Sequence, residues 1–286
     1  MRRALPSPMR AVLREEDRRV LNVAHRGASG SHPENTMSAI RAAVRLGVDS
    51  IELDVQRSRD GVLVLLHDTT LVRTTDAQLV YPRRAPWNVA DFDHDELLRL
   101  DAGAWKGSAW AGEQIPTLQQ ALTLAGTSAT GLVLELKAPS LYPGIVADLV
   151  AELRGTPYGL GEDAAAPRLV VQSFDVAAMK AHKARAPEVP VGVLGAPARS
   201  VLPALAEWAD QVNPHHWSVD RSYVDAVHRH GMECLAWTVN RTYAMRRAAD
   251  IGFDGIITNE PLKLTEALVR RGDQRAASRW PTRLLG

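Results

Sequence analysis

A single cysteine, Cys234, rules out an internal disulfide. It stands in an apolar run, which reads as a buried core thiol and fits a reducing compartment. Net charge is nearly absent: 34 basic and 33 acidic side chains leave +1, too weak a field to draw nucleic acid or a membrane surface. No apolar run approaches the roughly 18 residues of a membrane span. The first twenty residues mix Arg2, Arg3, Arg10, Arg14, Arg18 and Arg19 with Glu15, Glu16 and Asp17, without the apolar core of a signal peptide. These absences point to the cytoplasm and to neither nucleic acid nor stable membrane insertion. Internal repeats, low-complexity tracts and a Gly-rich dinucleotide loop after the first apolar run are missing too.

What is present is 286 residues with 45% apolar content, enough for a substantial core. Nine strand-like runs alternate with helical patterns: Val20–Ala24, Ser50–Val55, Val62–Leu66, Leu132–Leu136, Arg168–Gln172, Val189–Leu194, Gln211–Val212, Glu233–Val239 and Gly255–Thr258. The seven residues from Val55 to Gly61 are too few for a helical crossover, and Asp60-Gly61 signals a reversal. The second and third runs therefore form an antiparallel hairpin. Eight runs remain for a parallel set, which predicts a closed eight-stranded α/β barrel over residues 20–269. Asn35-Thr36 and Gly47 bracket a helix over Met37–Leu46, and Asn240 and Gly252 bracket one over Arg241–Ile251. The irregular stretch 69–116 is long enough to be functional and is expected over the barrel mouth. The Arg-rich ends, residues 1–19 and 270–286, read as solvated tails.

Residues two apart on a strand share a face, so Glu52 and Asp54 project together. Folding the hairpin about Arg59-Asp60 is expected to bring His67 opposite Glu52. Catalytic groups of such barrels sit at the C-terminal strand ends, and there the chain places His25-Arg26, Glu52, Asp54, Glu135, Lys137, Trp237 and Asn259. Buried carboxylates call for a cation, and three oxygen ligands, Glu52, Asp54 and Glu135, suit magnesium or calcium, with manganese possible. Arg26 and Lys137 would neutralise an anionic substrate, a phosphodiester above all. His25 and His67 match the two proton transfers that breaking a P–O bond requires. Glu34 and Asn35 either support the metal shell or satisfy helix-start amides; His32, His215 and His216 receive no role.

These residues carry a resemblance. His25-Arg26-Gly27, Pro33-Glu34-Asn35-Thr36, Ile51 to Val55, Asp60-Gly61, His67-Asp68, Leu71 to Thr75, Leu100 to Gly103, Gly112 to Leu118, Glu135 to Lys137, Ser173-Phe174, Trp237 to Asn240 and Gly255 to Thr258 follow in order. In them the chain resembles the glycerophosphodiester phosphodiesterase family, roughly from Val20 to Val269. The resemblance implies a phospholipase-C-like phosphodiesterase variant of the triosephosphate isomerase (TIM) barrel. It implies metal binding by Glu52, Asp54 and Glu135, acid–base catalysis by His25 and His67, and phosphate contact by Arg26 and Lys137. The reaction it implies is hydrolysis of a small glycerophosphodiester to glycerol 3-phosphate and an alcohol, with His25 as base and His67 as acid by analogy with related barrels. The attacking oxygen, water or the glycerol 2-hydroxyl, stays open. Trp237 would pack on the glycerol. Members often carry aspartate where this chain has Asn259, which leaves the role of that position open. A lysophospholipase D-type phosphodiesterase and an inactive sugar-phosphate-binding barrel are the alternatives.

Overall fold

A computed structural model of the chain describes residues 19–128, 130–154, 156 and 169–269; the two expected tails fall outside these, apart from Arg19, and so does Arg168. Arg19 is not a free tail residue: its guanidinium pairs with Asp49 at 2.6 Å.

Nine strands form one sheet among the described residues: β1 (Leu21–His25), β2 (Ser50–Arg57), β3 (Leu63–Leu65), β4 (Gly131–Leu136), β5 (Leu169–Ser173), β6 (Val191–Leu194), β7 (Gln211–Asn213), β8 (Leu235–Ala236) and β9 (Gly255–Thr258). The order β7-β6-β5-β4-β2-β1-β9-β8 is parallel throughout, and β3 alone pairs antiparallel, on β2. The barrel closes between β7 and β8 through single parallel bridges, Gln211 to Glu233 and His215 to Trp237. The expected run Glu233–Val239 is thus a strand only at Leu235–Ala236. Between the two bridges Leu235 N donates to the Asn213 side-chain Oδ1 at 3.0 Å instead of to a β7 carbonyl, and Pro214 has no N–H with which to return a ladder bond.

Period-2 alternation sorts the strand side chains into two layers. Ile51, Leu53, Val55, Leu132 and Leu134 pack outward with helix residues such as Ile40, Leu118 and Leu122. Each fully buried side chain of this size contributes about 1.5–3 kcal/mol. Inside the barrel, Val23, Val133, Val170, Leu235 and Ile257 form a smaller apolar layer. Two residues further along their strands stand His25, Glu135, Gln172 and Trp237, so the functional rim is the next inward-facing layer above an apolar plug.

The helix Met37–Leu46 begins as its signals require, with Thr36 rather than Asn35 capping: Thr36 accepts from Ala39 N, and Gly47 ends the helix at φ 65°. The helix Thr242–Asp250 departs from expectation, because Arg241 takes the N-cap position without a side-chain bond. Asn240 is occupied elsewhere, its Oδ1 accepting from Asn259 N at 2.9 Å and Thr258 Oγ1 at 3.2 Å.

The hairpin pairs Val55 with Leu65 and Arg57 with Leu63, one residue off the expected register. Continued, this register sets His67 against Leu53 rather than Glu52. The reason lies in the turn, where Ser58 N bonds Val62 O at 2.9 Å and Gly61 takes φ 96°, centring the reversal on Asp60. Stretch 69–116 carries its own core of Leu71, Val89, Phe92, Leu97, Leu100 and Ile115, shared with Val64 and Leu66 of the hairpin. It reaches the mouth beside β1 and β2, where Lys106 Nζ bonds Ser29 O at 2.8 Å and Trp110 meets His32 at 4.4 Å between ring centroids.

No helix among the described residues is long and apolar enough to cross a membrane. Cys234 is fully buried, and burial together with Asp254 pushes its thiol well above the usual range. The thiol should therefore resist a disulfide-exchange reagent in the native protein and react stoichiometrically once denaturant unfolds it. Rapid labelling of the native state would contradict that placement.

Candidate active site

The site begins at the end of β1, where the chain turns sharply under the helix Met37–Leu46. Gly27 has φ 80°, and a Cβ there would lie 2.6 Å from the Ala39 carbonyl carbon, so only glycine permits the approach. The turn holds Arg26 at φ 58° and Asn35 at φ 57°, and both residues are spent on β2. Arg26 N donates to Glu52 Oε2 at 3.1 Å, and its Nε stands 3.2 Å from Asp54 Oδ2. The Asn35 amide donates to Asp54 Oδ2 at 2.8 Å and accepts from Asp54 N at 3.2 Å.

Glu52, Asp54 and Glu135 are buried, and a ligand oxygen from each lies within 4.8 Å of the others. The parallel register sets Asp54 beside Glu135, and Lys137, two residues on, donates to Glu135 Oε1 at 2.7 Å and reaches Asp54 Oδ1 at 3.4 Å. Burial and the neighbouring Asp54 and Glu135 charges push Glu52 well above the usual carboxylate range. Glu135 rises to about 7, through burial and Asp54. Burial would raise Asp54 as well, but Arg26 and Lys137 override it and hold Asp54 low. Glu52 Oε1 and Asp54 Oδ1 are buried without a hydrogen bond.

Two imidazoles flank the carboxylates. His25 Nδ1 meets Asn259 Oδ1 at 2.6 Å, and its Nε2 lies 3.8 Å from Glu52. An amide oxygen only accepts, so Nδ1 carries the proton and Nε2 keeps its lone pair. Burial, then Arg26, lowers the His25 pKa to about 4, which keeps the ring neutral. His67 Nδ1 meets Asp68 Oδ1 at 2.6 Å. Arg73 grips Asp68 with Nε at 2.6 Å and Nη2 at 3.0 Å, and Glu34 with Nη2 at 2.7 Å and Nη1 at 3.0 Å. Glu34 in turn accepts from Arg26 Nη1 at 2.8 Å. A single ionic chain thus runs from His67 through Asp68, Arg73, Glu34 and Arg26 to Asp54.

These groups face a cleft of about 400 Å³. His25, Arg26, Glu52, His67, Glu135 and Lys137 line its ionic half; Gln172, Phe174, Leu194, Trp237, Thr238 and Ile257 line the other. Trp237 is fixed by its indole N–H, which donates to Asn213 O at 2.7 Å, and Phe174 stands edge-on to it at 5.7 Å.

Residues 25–263 match the family model described as the glycerophosphoryl diester phosphodiesterase family. The chain belongs to that family. A glycerophosphodiester phosphodiesterase of Caldanaerobacter subterraneus is 36% identical over 258 residues, covering 89% of this chain and 99% of its own. One from Bacillus subtilis is 31% identical over 258 residues, covering 85% and 84%. The solved structure of an Oleispira antarctica phosphodiesterase, in complex with the product sn-glycerol-3-phosphate, superposes with a TM-score of 0.77 at 30% identity, covering 86% of this chain and 96% of its own. The chain is accordingly a phosphodiesterase on a TIM-type barrel.

In this phosphodiesterase all eight residues singled out from the sequence, His25, Arg26, Glu52, Asp54, His67, Glu135, Lys137 and Trp237, border one cleft or its buried floor. His32, His215 and His216 do not line it. Glu34 bonds two arginines and stands outside the carboxylate triad, whereas Asn35 holds a member of it. Sequence reasoning left Asp68 and Arg73 without roles. The signal was available in the His67-Asp68 pair, since an imidazole beside a carboxylate usually has its tautomer set by it.

Among the described residues, Asn35 is the neutral side chain that hydrogen-bonds both the carboxylate and the backbone amide of Asp54. If the triad holds a cation, Asn35→Ala should weaken activation by that cation by about 10–100-fold, since groups that orient a ligand act on affinity to that extent. Rate measured against metal concentration gives the answer, and an unchanged activation curve would remove Asn35 from the metal's support.

Proposed function

We propose that this phosphodiesterase hydrolyses small glycerophosphodiesters, such as glycerophosphocholine or glycerophosphoethanolamine, to glycerol 3-phosphate and an alcohol, and depends on a divalent cation. The observation that carries the reading is the buried triad with its unbonded Glu52 Oε1 and Asp54 Oδ1, set between two fixed cations and two imidazoles. The product complex of the Oleispira relative supports the substrate class.

Charge balance favours a metal. The three carboxylates outweigh Arg26 and Lys137 by one negative charge, and a phosphodiester adds another. One divalent cation cancels both. Oxygen donors of this kind select magnesium, calcium or manganese over zinc. Glu52, Asp54 and Glu135 would hold the ion, and when bound it would neutralise charge building on the phosphoryl oxygens.

The protein's own groups divide the remaining work. Arg26 and Lys137 bind the phosphate oxygens, and Trp237 packs on the glycerol. Neutral His25 takes a proton at Nε2 from the attacking oxygen, water or the glycerol 2-hydroxyl. His67, its Nδ1 held by Asp68, gives a proton to the departing alkoxide as the P–O bond breaks. Asp68, whose pKa falls to about 2 through the Arg73 hydrogen bonds, stays ionised against His67 Nδ1. The balanced charge and lone buried thiol fit action in the cytoplasm.

A lysophospholipase D-type reaction is the second reading, favoured by Phe174 and Trp217, exposed in the loops that follow β5 and β7, and by Tyr243, exposed in the first turn of the helix that follows β8. A panel of glycerophosphodiesters and lysophospholipids, assayed after chelation with magnesium, calcium or manganese restored, separates the two. Chelation should abolish turnover and a hard divalent ion recover it; full activity in metal-free protein would sink the assignment.

Two sets of variants test the division of labour. His25→Ala and His67→Ala should each lower turnover by roughly 100-fold or more with the fold intact, and near-normal rates in either would remove that histidine. Glu135→Gln should raise the metal concentration needed for activity and be partly rescued by excess metal. Lys137→Met should lower kcat/KM by a factor corresponding to about 2–4 kcal/mol without changing the metal requirement. Identical metal curves for both variants would mean that Glu135 is not a ligand.

A further inference from the structure

Gln56 lies two residues beyond Asp54 on β2, on the same inward face, and is fully buried. Its Nε2 stands 2.7 Å from Leu66 O and 2.7 Å from Asp68 O, the carbonyls on either side of His67. Carbonyl oxygens only accept, so the amide orientation is unambiguous: the NH2 faces both of them and Oε1 faces away. There Oε1 meets Tyr142 Oη at 2.7 Å, and the hydroxyl must donate. Tyr142 is itself buried, and burial raises its pKa to about 12, so the proton stays in place.

The position of this clamp matters because the sheet ends just before it. β3 stops at Leu65, and the last backbone bond tying the segment to β2 is Leu66 N to Asp54 O at 3.0 Å. Among the described residues no backbone N–H takes the carbonyls flanking His67 before pairing resumes at Thr69, whose carbonyl accepts from Val89 N at 3.0 Å, and the Gln56 side chain fills that gap. The His67 ring is bonded to the Asp68 carboxylate, so its aim into the cleft follows from where the Asp68 backbone is held.

We propose that Gln56 and Tyr142 are positioning residues that set the aim of His67 toward the leaving group. The inference rests on the reading of His67 as the acid that protonates the departing alkoxide. A misplacement of an acid by about 1 Å costs on the order of 100-fold, so a clamp on both flanking carbonyls has catalytic weight without touching substrate.

Leaving-group dependence separates this role from a structural one. An alkoxide must be protonated as it leaves, whereas 4-nitrophenolate departs readily without a proton. On glycerophosphocholine, Gln56→Met should lower kcat about 10–100-fold with KM little changed; on the 4-nitrophenyl ester of glycerol 3-phosphate the loss should be less than about threefold. Tyr142→Phe leaves both amide bonds in place and should show the same selectivity at about 3–10-fold, and it decides the matter if Gln56→Met does not fold. Adding Gln56→Met to His67→Ala should cost nothing more on either ester, because the two act through one group. Equal losses on both esters, in a protein whose His67→Ala variant does discriminate between them, would overturn the clamp and leave the acid role standing. If His67→Ala itself fails to discriminate, the acid role falls and the clamp with it.

Discussion

Three carboxylates taken out of water within 4.8 Å of one another are the constraint on which the rest of the site depends. Removing a charge from water costs several kcal/mol even after relaxation, so the arrangement survives only if nearly every oxygen is compensated. Arg26 and Asn35, from the connection between β1 and the helix Met37–Leu46, and Lys137, from the end of β4, supply that compensation, and the sharp turn at Arg26 and Gly27 brings the first two in. Two buried oxygens, Glu52 Oε1 and Asp54 Oδ1, still accept no hydrogen bond. Those oxygens leave the triad able to take a cation.

The barrel converts this local requirement into geometry. Parallel strands in register set His25 beside Glu52 and Asp54 beside Glu135, and an apolar layer of Val23, Val133, Val170, Leu235 and Ile257 beneath them excludes water from below. On the far wall Asn213 bonds Gln172 at 2.9 Å and Gln211 at 3.1 Å, and Gln211 bonds Glu233 at 2.8 Å. That amide network occupies the space where Gly192 lacks a side chain: a Cβ there would stand 2.9 Å from Asn213 Nδ2. One half of the interior is thus arranged for charge, and the other is filled by side-chain amides that bond one another and the buried Glu233 carboxylate.

Strand positions and the carboxylate set were legible because both depend on local pattern: apolar runs, the two-residue alternation, and acids where a strand should be greasy. The hairpin register was off by one because it hangs on how Ser58 and Gly61 close the turn, a matter of backbone angles that Asp60-Gly61 does not specify. The cap at Asn240 was misjudged for a different reason. Its side chain had a better offer from Asn259, a partner distant in sequence, and such competition is invisible to propensity. Asn259 itself, left open by departing from the family's usual aspartate, still orients His25, its side-chain oxygen meeting Nδ1 at 2.6 Å. Arg73 illustrates the remaining gap: its four bonds join Asp68, five residues away, to Glu34, 39 residues away, a convergence that no spacing rule anticipates.

The separate core of stretch 69–116 divides the site by stiffness. The buried carboxylates stand on β2 and β4, the most extensively paired strands of the sheet, while His67 stands where the hairpin passes into a unit with its own apolar cluster and its own ionic tether, Arg59 to Asp93 at 2.9 Å. Regions with separate cores open with separate free energies. Fluctuation of that unit would therefore reach His67 while leaving the carboxylates on β2 and β4 still, so that the two sides of the cleft become regions that substitution can loosen independently of each other.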